Sequence, residues 1–308
     1  MTRTAGGEFD IRPAPPAWQQ AALELVLAEV PAERRAAHIA WLMNSARASD
    51  LEGLLVAQRG GRLVGATWVQ RQPGRVATVW SPRARQARWS ACADDLLAEV
   101  VSRLESLDVR LAQALLAIDA TDTVARFERH GFTRLAELVY MVSLAEQFPT
   151  SAPQTELRLE AAPLGDDDRL ASILDRTYER TLDCPTLDGV RDSHDVLTGY
   201  RACGVFEPAR WFIVRRGAQD VGCLLLADHP EQDQWEIVYI GVIPEERGRR
   251  SGLALVRQAQ FLTRQAKRSR LVLAVDAANA PALSMYTVAG FLEWDRRSAF
   301  FRVVPSGG

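Results

Sequence analysis

The stretch that decides the fold is "WEIVYIGVIPEERGRRSGLALV", which runs from Trp235 to Val256. Its first eight residues are rich in β-branched and aromatic side chains and predict a strand, and its last residues begin an apolar pattern typical of a helix. Three arginines and two glycines lie between them, within Arg247–Gly252. A helix that begins after such a turn exposes unpaired backbone N–H groups and the positive end of its dipole. The stretch therefore predicts an anion-binding turn suited to a pyrophosphate, with a solvated arginine-rich loop as the alternative.

The strand and helix signals around this stretch occur twice in the chain. Both halves predict the order β-α-α-β-β-β-α-β-α-β, which indicates an internal duplication. The segment Phe148–Thr155 holds two prolines and three hydroxyl residues without a hydrophobic period and is typical of a linker. We therefore expect an α/β (α+β) protein of two tandem domains, 1–148 and 155–308, joined by a linker at 149–154. Each domain would be a mixed, mostly antiparallel sheet flanked by helices.

Composition and charge restrict the function classes. The 308 residues are 47% hydrophobic and 25% charged with a net charge of −2, so we expect no nucleic-acid or membrane partner. The N-terminus has no apolar signal core and the chain has no run of 18 apolar residues, which favours a cytoplasmic protein. Its four cysteines form no C-x-x-C pair and do not cluster with the histidines, so neither a metal site nor a disulfide framework is expected.

The predicted pyrophosphate-binding turn matches neither of two common nucleotide-binding motifs. Neither G-x-x-x-x-G-K-[ST] nor G-x-G-x-x-G is present. The segment instead resembles the R/Q-x-x-G-x-G/A motif of the GNAT acyltransferase superfamily, with Arg250 where that family usually has its first required glycine. This resemblance implies acetyl-coenzyme A as acyl donor and a tandem form of the GNAT fold. It also implies that the donor is bound by the six residues Arg247, Gly248, Arg249, Arg250, Ser251 and Gly252.

Two further motifs extend the resemblance over the C-terminal half. "EIVYIGV" is similar to the family's acid-bearing strand, which implies Glu236 as general base and the backbone of Ile240, Gly241 and Val242 as the support for the pantetheine arm. Strict alternation would place Glu236 on one strand face with Ile240 and Val242. The pattern N-x-x-A-x-x-x-Y-x-x-x-G-F follows downstream. It implies that Asn279 lies near the cofactor.

The same pattern implies that Tyr286 protonates the departing thiolate. An amine is protonated in water, so direct attack on a thioester needs a base, and the leaving thiolate gains from an acid. No metal is required. The alternatives are a solvated carboxylate at Glu236, a packing role for Tyr286 and a helix cap at Asn279.

The N-terminal copy lacks these groups. With Pro82 aligned to Pro244, Gln86 and Ser90 replace the two glycines, and Gly74 takes the position of Glu236. Phe127 lies opposite Tyr286, so the phenol is missing as well. We therefore expect a degenerate first domain and one donor site per chain.

The acceptor is expected to bind near the first helices of the second domain. The loop there carries the acidic residues Glu179, Asp183, Asp188 and Asp192, which favour a cationic amine. Among them, Glu179 and Asp183 are candidate substrate contacts together with Cys184, whose alternative is plain packing. The leading hypothesis is acetyl transfer to a primary amine of a small molecule or peptide. The alternative is a non-catalytic acyl-coenzyme A sensor, which would need neither Glu236 nor Tyr286.

Overall fold

The structure, a computed structural model, describes residues 8–45, 51–162, 165, 167–187 and 189–305. The strands and helices follow one another in the predicted order in both halves. The strands of the first half are β1 Asp10–Pro13, β2 Leu54–Arg59, β3 Arg62–Gln72, β4 Val76–Ala84, β5 Leu111–Leu116 and β6 Thr133–Leu144. Its helices are α1 Pro16–Val26, α2 Ala32–Ser45, α3 Cys92–Leu104 and α4 Thr121–Arg129.

The second half repeats this order. Its strands are β7 Leu157–Ala161, β8 Trp211–Arg216, β9 Gln219–His229, β10 Gln234–Val242, β11 Arg270–Asp276 and β12 Leu292–Val303. Its helices are α5 Asp167–Tyr178, α6 Ser193–Arg201, α7 Ser251–Gln265 and α8 Ala280–Val288. Residues 148–156, which include the predicted linker, form neither helix nor strand.

Contacts divide the chain into two compact units: Met1–Arg134 with Ala299–Gly308, and Leu135–Ser298. The first unit has the strand order β1-β2-β3-β4-β5 followed by the end of β12. The second has the start of β12 followed by β6-β11-β10-β9-β8-β7. The last strand of the first repeat, β6, thus belongs almost entirely to the second unit, and the end of β12, the last strand of the second repeat, belongs to the first. The repeat boundaries at 148 and 155 stay a prediction about sequence duplication, whereas contacts separate the chain near 134 and 298.

Each unit has its own apolar core. The sheet of the second unit is antiparallel except for the β10–β11 pair. Gln260 of α7 lies on one face of this sheet and donates from Nε2 to Ser143 Oγ of β6 at 2.8 Å. The end of α5 lies against β10, where Thr177 Oγ1 is 2.7 Å from Tyr239 Oη. Apolar side chains of α5, α7, β9 and β11 form the core between these layers.

The parallel strands β10 and β11 separate soon after they meet. They pair only over Gln234–Glu236 and Arg270–Val272, and both then continue without pairing to each other. A register shift between Ile237 and Tyr239 makes Val238 an extra residue in β10. The bulge contradicts the strict alternation expected from Glu236 to Val242, because an inserted residue changes which side chains share a face. Beyond the bulge, Tyr239 and Gly241 are the residues that face α5.

Candidate functional site

A cavity of about 710 Å³ opens where β10 and β11 separate. This volume lies in the range of small-molecule and cofactor sites. Its walls are the end of β10, the start of α7, one side of α8 and the loop that follows α5. Nine of the residues predicted to bind the donor line it: Ile240, Gly241, Val242, Arg247, Gly248, Arg250, Ser251, Gly252 and Asn279. The predicted acid Tyr286 and the candidate acceptor contact Asp183 line it as well.

The turn before α7 is an anion cradle. Gly248 and Arg250 both have left-handed backbones, with φ of 77° and 61°. Among the described residues, no acceptor is found for the backbone N–H groups from Gly248 to Leu253, and no side chain caps the helix. The first turn of α7 also lacks acidic residues. Unpaired amides at the positive end of a 15-residue helix suit a pyrophosphate, which would supply the missing acceptors.

A buried carboxylate holds this turn in place. Glu246 is 4% exposed and accepts hydrogen bonds from Arg216 Nη2 at 3.1 Å and from Ser251 Oγ at 3.0 Å. Arg249 lies 3.4 Å from its other oxygen. Burial raises the pKa of Glu246, but the bonds from Arg216 and Ser251 outweigh it and leave the pKa below its usual value. The Glu246 carboxylate therefore stays charged, and its hydrogen bonds orient the turn.

Two arginines predicted to bind the donor have other partners. Arg247 donates to the backbone oxygens of Arg180 and Thr177, both at 2.9 Å, at the C-terminal end of α5. A guanidinium there also complements the negative end of that helix dipole. Arg249 is outside the cavity wall and 61% exposed. Among the described residues, the backbone amides of the turn are thus left without a partner, whereas these two guanidinium groups are not.

Glycine allows close packing at two positions. A Cβ on Gly241 would lie 2.9 Å from Thr177 Oγ1, so glycine lets α5 approach β10. A Cβ on Gly252 would lie 2.7 Å from Met285 Sδ, so glycine lets α8 approach the start of α7. The glycine at 252 thus has a packing role in addition to leaving the helix start open.

Helix α8 presents Asn279 and Tyr286 to the cavity. Asn279 caps the helix, since its Oδ1 accepts from the N–H of Ala282 at 3.3 Å. Tyr286 is 5% exposed and packs against Phe291 at a ring-centroid distance of 5.6 Å. Burial raises the pKa of its phenol, and the nearby Asp183 charge adds to the effect. The phenol therefore keeps its proton at physiological pH and is able to donate it.

The predicted base Glu236 lies just outside the cavity wall, which begins at the next residue, Ile237. Its Oε2 is 2.8 Å from His229 Nε2, at hydrogen-bond distance. The carboxylate raises the pKa of His229 by accepting that bond. The side chains are about a third and a quarter exposed, so both reach solvent. Glu236 is thus a carboxylate at hydrogen-bond distance from a histidine that can carry a proton, at the point where β10 and β11 separate.

Comparison with known proteins agrees with this geometry. Residues 174–291 match the sequence profile described as Acetyltransferase (GNAT) family. We call residues 174–291 the GNAT domain, after the family whose profile they match. The match runs from α5 through α8, so it includes the whole cavity wall. The resemblance noted from the sequence is thereby confirmed.

Relatives of the GNAT domain cover different shares of the chain. A mycothiol acetyltransferase from Thermobispora bispora is 32% identical over 94 residues, which are 29% of this chain and 32% of that protein. A GCN5-related N-acetyltransferase structure from Sphaerobacter thermophilus has a TM-score of 0.69 at 17% identity and covers 97% of both chains. A tandem GNAT protein from the clavulanic acid pathway has a TM-score of 0.55 at 15% identity, covering 98% of this chain and 99% of its own. The two structures share the fold along the entire chain, which confirms the predicted fold class.

The loop that follows α5, where the sequence predicts acceptor binding, is tied to the end of β11. Asp183 accepts from the N–H of Asp276 at 2.8 Å, and Asp276 accepts from the N–H of Cys184 at 3.1 Å. Dehydration by its neighbours raises the pKa of Asp183, and the charge of Asp276 acts in the same direction. Cys184 has a left-handed backbone, with φ of 48°.

The three candidate acceptor contacts differ in position. Asp183 lines the cavity, while Glu179 and Cys184 do not, and Glu179 is exposed. Burial raises the pKa of the Cys184 thiol to about 12. Asp188 lies outside the described residues.

The corresponding turn of the first unit has a different structure. There the N–H groups of Ala93 and Asp94 bond to Ser90 and Ala91 at 3.1 and 3.2 Å, so they are already paired. Asp94 and Asp95 also occupy the first turn of α3, where they oppose an anion. No residue of the described segment 85–91 has a positive φ. This unit therefore lacks the cradle that the GNAT domain has.

The strand register corrects one aligned position in the first unit. Thr78 pairs with Gln113 as the third pair of the parallel β4–β5 ladder, and Glu236 pairs with Val272 as the third pair of β10–β11. Thr78, rather than Gly74, thus corresponds to Glu236. Gly74 lies in the turn before β4 with φ of 80°. The sequence alignment was displaced because it was anchored on prolines beyond the strand. A carboxylate is absent at either position.

Sequence reasoning missed two residues that organise the site. His229 lies at the end of β9 and Glu246 in a 3-10 turn, and neither forms a motif with its neighbours. Nothing in "PEER" distinguishes Glu246 from the exposed Glu245. Within the described ranges, no group of three or more His, Cys, Asp or Glu side chains is placed to hold a metal ion. No helix in that part of the chain is long and apolar enough to cross a membrane.

Proposed function

We propose that the GNAT domain transfers an acetyl group from acetyl-coenzyme A to a primary amine of a small molecule or peptide. The observation that carries the proposal is the set of unpaired amides from Gly248 to Leu253, which opens on a cavity between separated strands. The orphaned donors fit a pyrophosphate, and the gap between β10 and β11 fits an extended arm. The bound donor supplies an activated thioester carbonyl.

The residues of this chain would divide the proton transfers. Glu236 takes a proton from the attacking amine, and a backbone N–H on the free edge of β10 stabilises the developing negative charge on the carbonyl oxygen. As the nitrogen–carbon bond forms and the carbon–sulfur bond breaks, Tyr286 gives its proton to the sulfur. The phenol is protonated at neutral pH, so a proton is present there when the thiolate leaves. His229 then carries the proton from Glu236 to solvent.

Asp183 is the second candidate for the base. Its carboxylate lines the cavity, whereas Glu236 lies one residue outside the wall. Replacing each in turn separates them: Glu236→Gln and Asp183→Asn both remove a base while keeping size and polarity. We expect Glu236→Gln to lower turnover about 10²–10⁴-fold, with partial recovery at high pH as the amine deprotonates unaided. Asp183→Asn should chiefly raise the acceptor KM.

Calorimetric titration with acetyl-coenzyme A, followed by an amine panel read by release of the free thiol, tests the proposal. Mycothiol-related amines belong in that panel because a relative carries that name. One donor per chain with amine-dependent thiol release is the expected result. Tight donor binding with no thiol release from any amine would favour the alternative, a non-catalytic acyl-coenzyme A sensor. Absence of donor binding would refute both.

A further inference from the structure

An open sheet face lies beside Glu236. Glu236 pairs with Val272 of β11, and Val272 pairs in turn with Val142 of β6. Paired residues of neighbouring strands point to the same side of a sheet, and so do residues two apart along a strand. Ala274 and its partner Tyr140 therefore share the face of Glu236.

Over β11 and β6, this open sheet face is the side opposite α7. Leu271 and Leu273, which alternate with Val272, are buried in the core with α7. Ala274, in contrast, is exposed in the complete chain. The face therefore begins at the proposed base and runs across β11 to β6 on the side of the sheet opposite α7.

Two aromatic rings stand at the far side of this face. Trp294 of β12 contacts Tyr140 edge to face, with ring centroids 5.8 Å apart and an interplanar angle of 62°. Trp294 is 58% exposed, which is unusual for so large an aromatic side chain. We call Tyr140 and Trp294 the ring pair.

The ring pair lies within electrostatic range of the proposed base. The charges of Asp295 and Glu236 both raise the pKa of Tyr140, although burial is the larger cause and Arg297 opposes them. Two strand spacings separate β10 from β6, about 10 Å in all. Ala274 and Tyr140 lie two residues, about 7 Å, along the strands from Val272 and Val142, so an acceptor with its amine at Glu236 would cross Ala274 and reach the ring of Tyr140 with a group about 12 Å away.

We propose that the ring pair of Tyr140 and Trp294 is a binding subsite for the body of the acceptor, and that the acceptor is an amine carrying a ring with a flat apolar face. A sugar ring and an aromatic ring share that chemistry, because both offer C–H or π surface to an exposed indole. The inference rests on the proposed acetyl transfer, since it places the amine at Glu236. Ala274 suits the path because its small side chain leaves room above the sheet.

The test uses the full chain and three amines of similar reach: a glucosamine derivative, an aryl alkylamine and a straight-chain diamine. Thiol release from acetyl-coenzyme A gives kcat and KM for each. The wild-type protein should have a lower KM for a ring-bearing amine than for the diamine. Comparing the glucosamine derivative with the aryl alkylamine identifies the kind of ring. Trp294→Ala should raise the KM for that amine about 3- to 10-fold, the loss of one stacking contact. The KM values for the diamine and for acetyl-coenzyme A should not change.

Matched variants keep the result interpretable. Trp41 is 57% exposed on α2, so Trp41→Ala removes an equally exposed indole and should change nothing. Tyr140→Phe keeps the ring and should retain the preference, while Tyr140→Ala should lose it. Equal KM changes for ring-bearing and straight-chain amines, or no change in either, would overturn the subsite.

Failure of the proposed function gives a different pattern. If no amine releases thiol, binding of the two ring-bearing amines is measured by quenching of Trp294 fluorescence, with Trp294→Phe as the reference for the other tryptophans. Saturable quenching that the diamine does not produce would support the subsite without the transfer activity. No quenching by either ring-bearing amine would overturn it. Transfer to all three amines with equal KM would uphold the function and refute the subsite.

Discussion

Arg250→Gly separates the backbone contribution of the anion turn from that of its charge. Arg250 has φ of 61° and ψ of 12° immediately before α7. A left-handed backbone costs a residue with a side chain about 1–2 kcal/mol, and glycine avoids that cost. Glycine also gives the unfolded chain more freedom, which removes about 0.4–1 kcal/mol. The expected change in unfolding free energy is therefore between about 0 and +1.5 kcal/mol.

The effect on donor affinity follows from the same geometry. The turn already adopts a conformation that suits glycine, and its amides belong to the backbone, so Arg250→Gly should retain acetyl-coenzyme A affinity within a few-fold. A side chain that contacts a phosphate directly would instead contribute about 1.5–3 kcal/mol, or on the order of 10- to 100-fold in Kd. Titration calorimetry measures the affinity, and denaturant unfolding measures the stability.

Three matched variants test the reasoning. Arg250→Ala loses the charge but keeps the left-handed cost, so it should be less stable than Arg250→Gly by up to about 1.5 kcal/mol. Arg250→Lys keeps a charge. Lys267 has φ of 58° just after the other end of α7, so Lys267→Gly should show the stability effect without any change in affinity. Equal stability of the Gly and Ala variants would refute the backbone argument. If Arg250→Gly and Arg250→Ala both lose tenfold or more in acetyl-coenzyme A affinity while Arg250→Lys retains it, the arginine charge binds phosphate.

Three other predictions concern the same domain. Gly252→Val should weaken donor binding tenfold or more and lower the melting temperature, because a Cβ there meets Met285 Sδ at 2.7 Å. The control Ser90→Val should leave the donor affinity and the single site per chain unchanged in calorimetry. Tyr286→Phe should reduce turnover about 10²-fold or more without recovery at high pH and without a change in donor affinity, because a free amine supplies no proton to the thiolate; a pH–rate profile that recovers at high pH would contradict the acid role. Burial raises the pKa of the Cys184 thiol to about 12 and that of the Cys203 thiol to about 11, so neither should react quickly with iodoacetamide at pH 8. The stability that these protonated thiols contribute is present below the ordinary pKa of 9.0 and should be lost as the pH rises toward the raised values. Rapid native-state alkylation in a peptide map would contradict this.

Local patterns in the sequence were enough for the order of elements and the position of the anion turn. Strand and helix periods depend on residues a few positions apart, and the glycines around Arg249 act on the backbone where they stand. For that reason the helix start at Ser251, the cap at Asn279 and the loss of the phenol at Phe127 were all predictable. Recognition of the GNAT pattern rested on the same local residues.

Partners that come from distant parts of the chain were decided by the tertiary structure. The bulge at Val238 depends on how β10 is matched to β9, and one extra residue redirects every side chain beyond it. Arg247 bonds to carbonyls at the end of α5, some 70 residues earlier, because folding brings that helix end beside the turn. His229 meets Glu236 only because β9 and β10 are neighbours in the sheet. Local sequence thus indicated where the amides lie unpaired, whereas packing and strand register decided which side chains join the site and which are free to act, since those depend on contacts that no local pattern encodes.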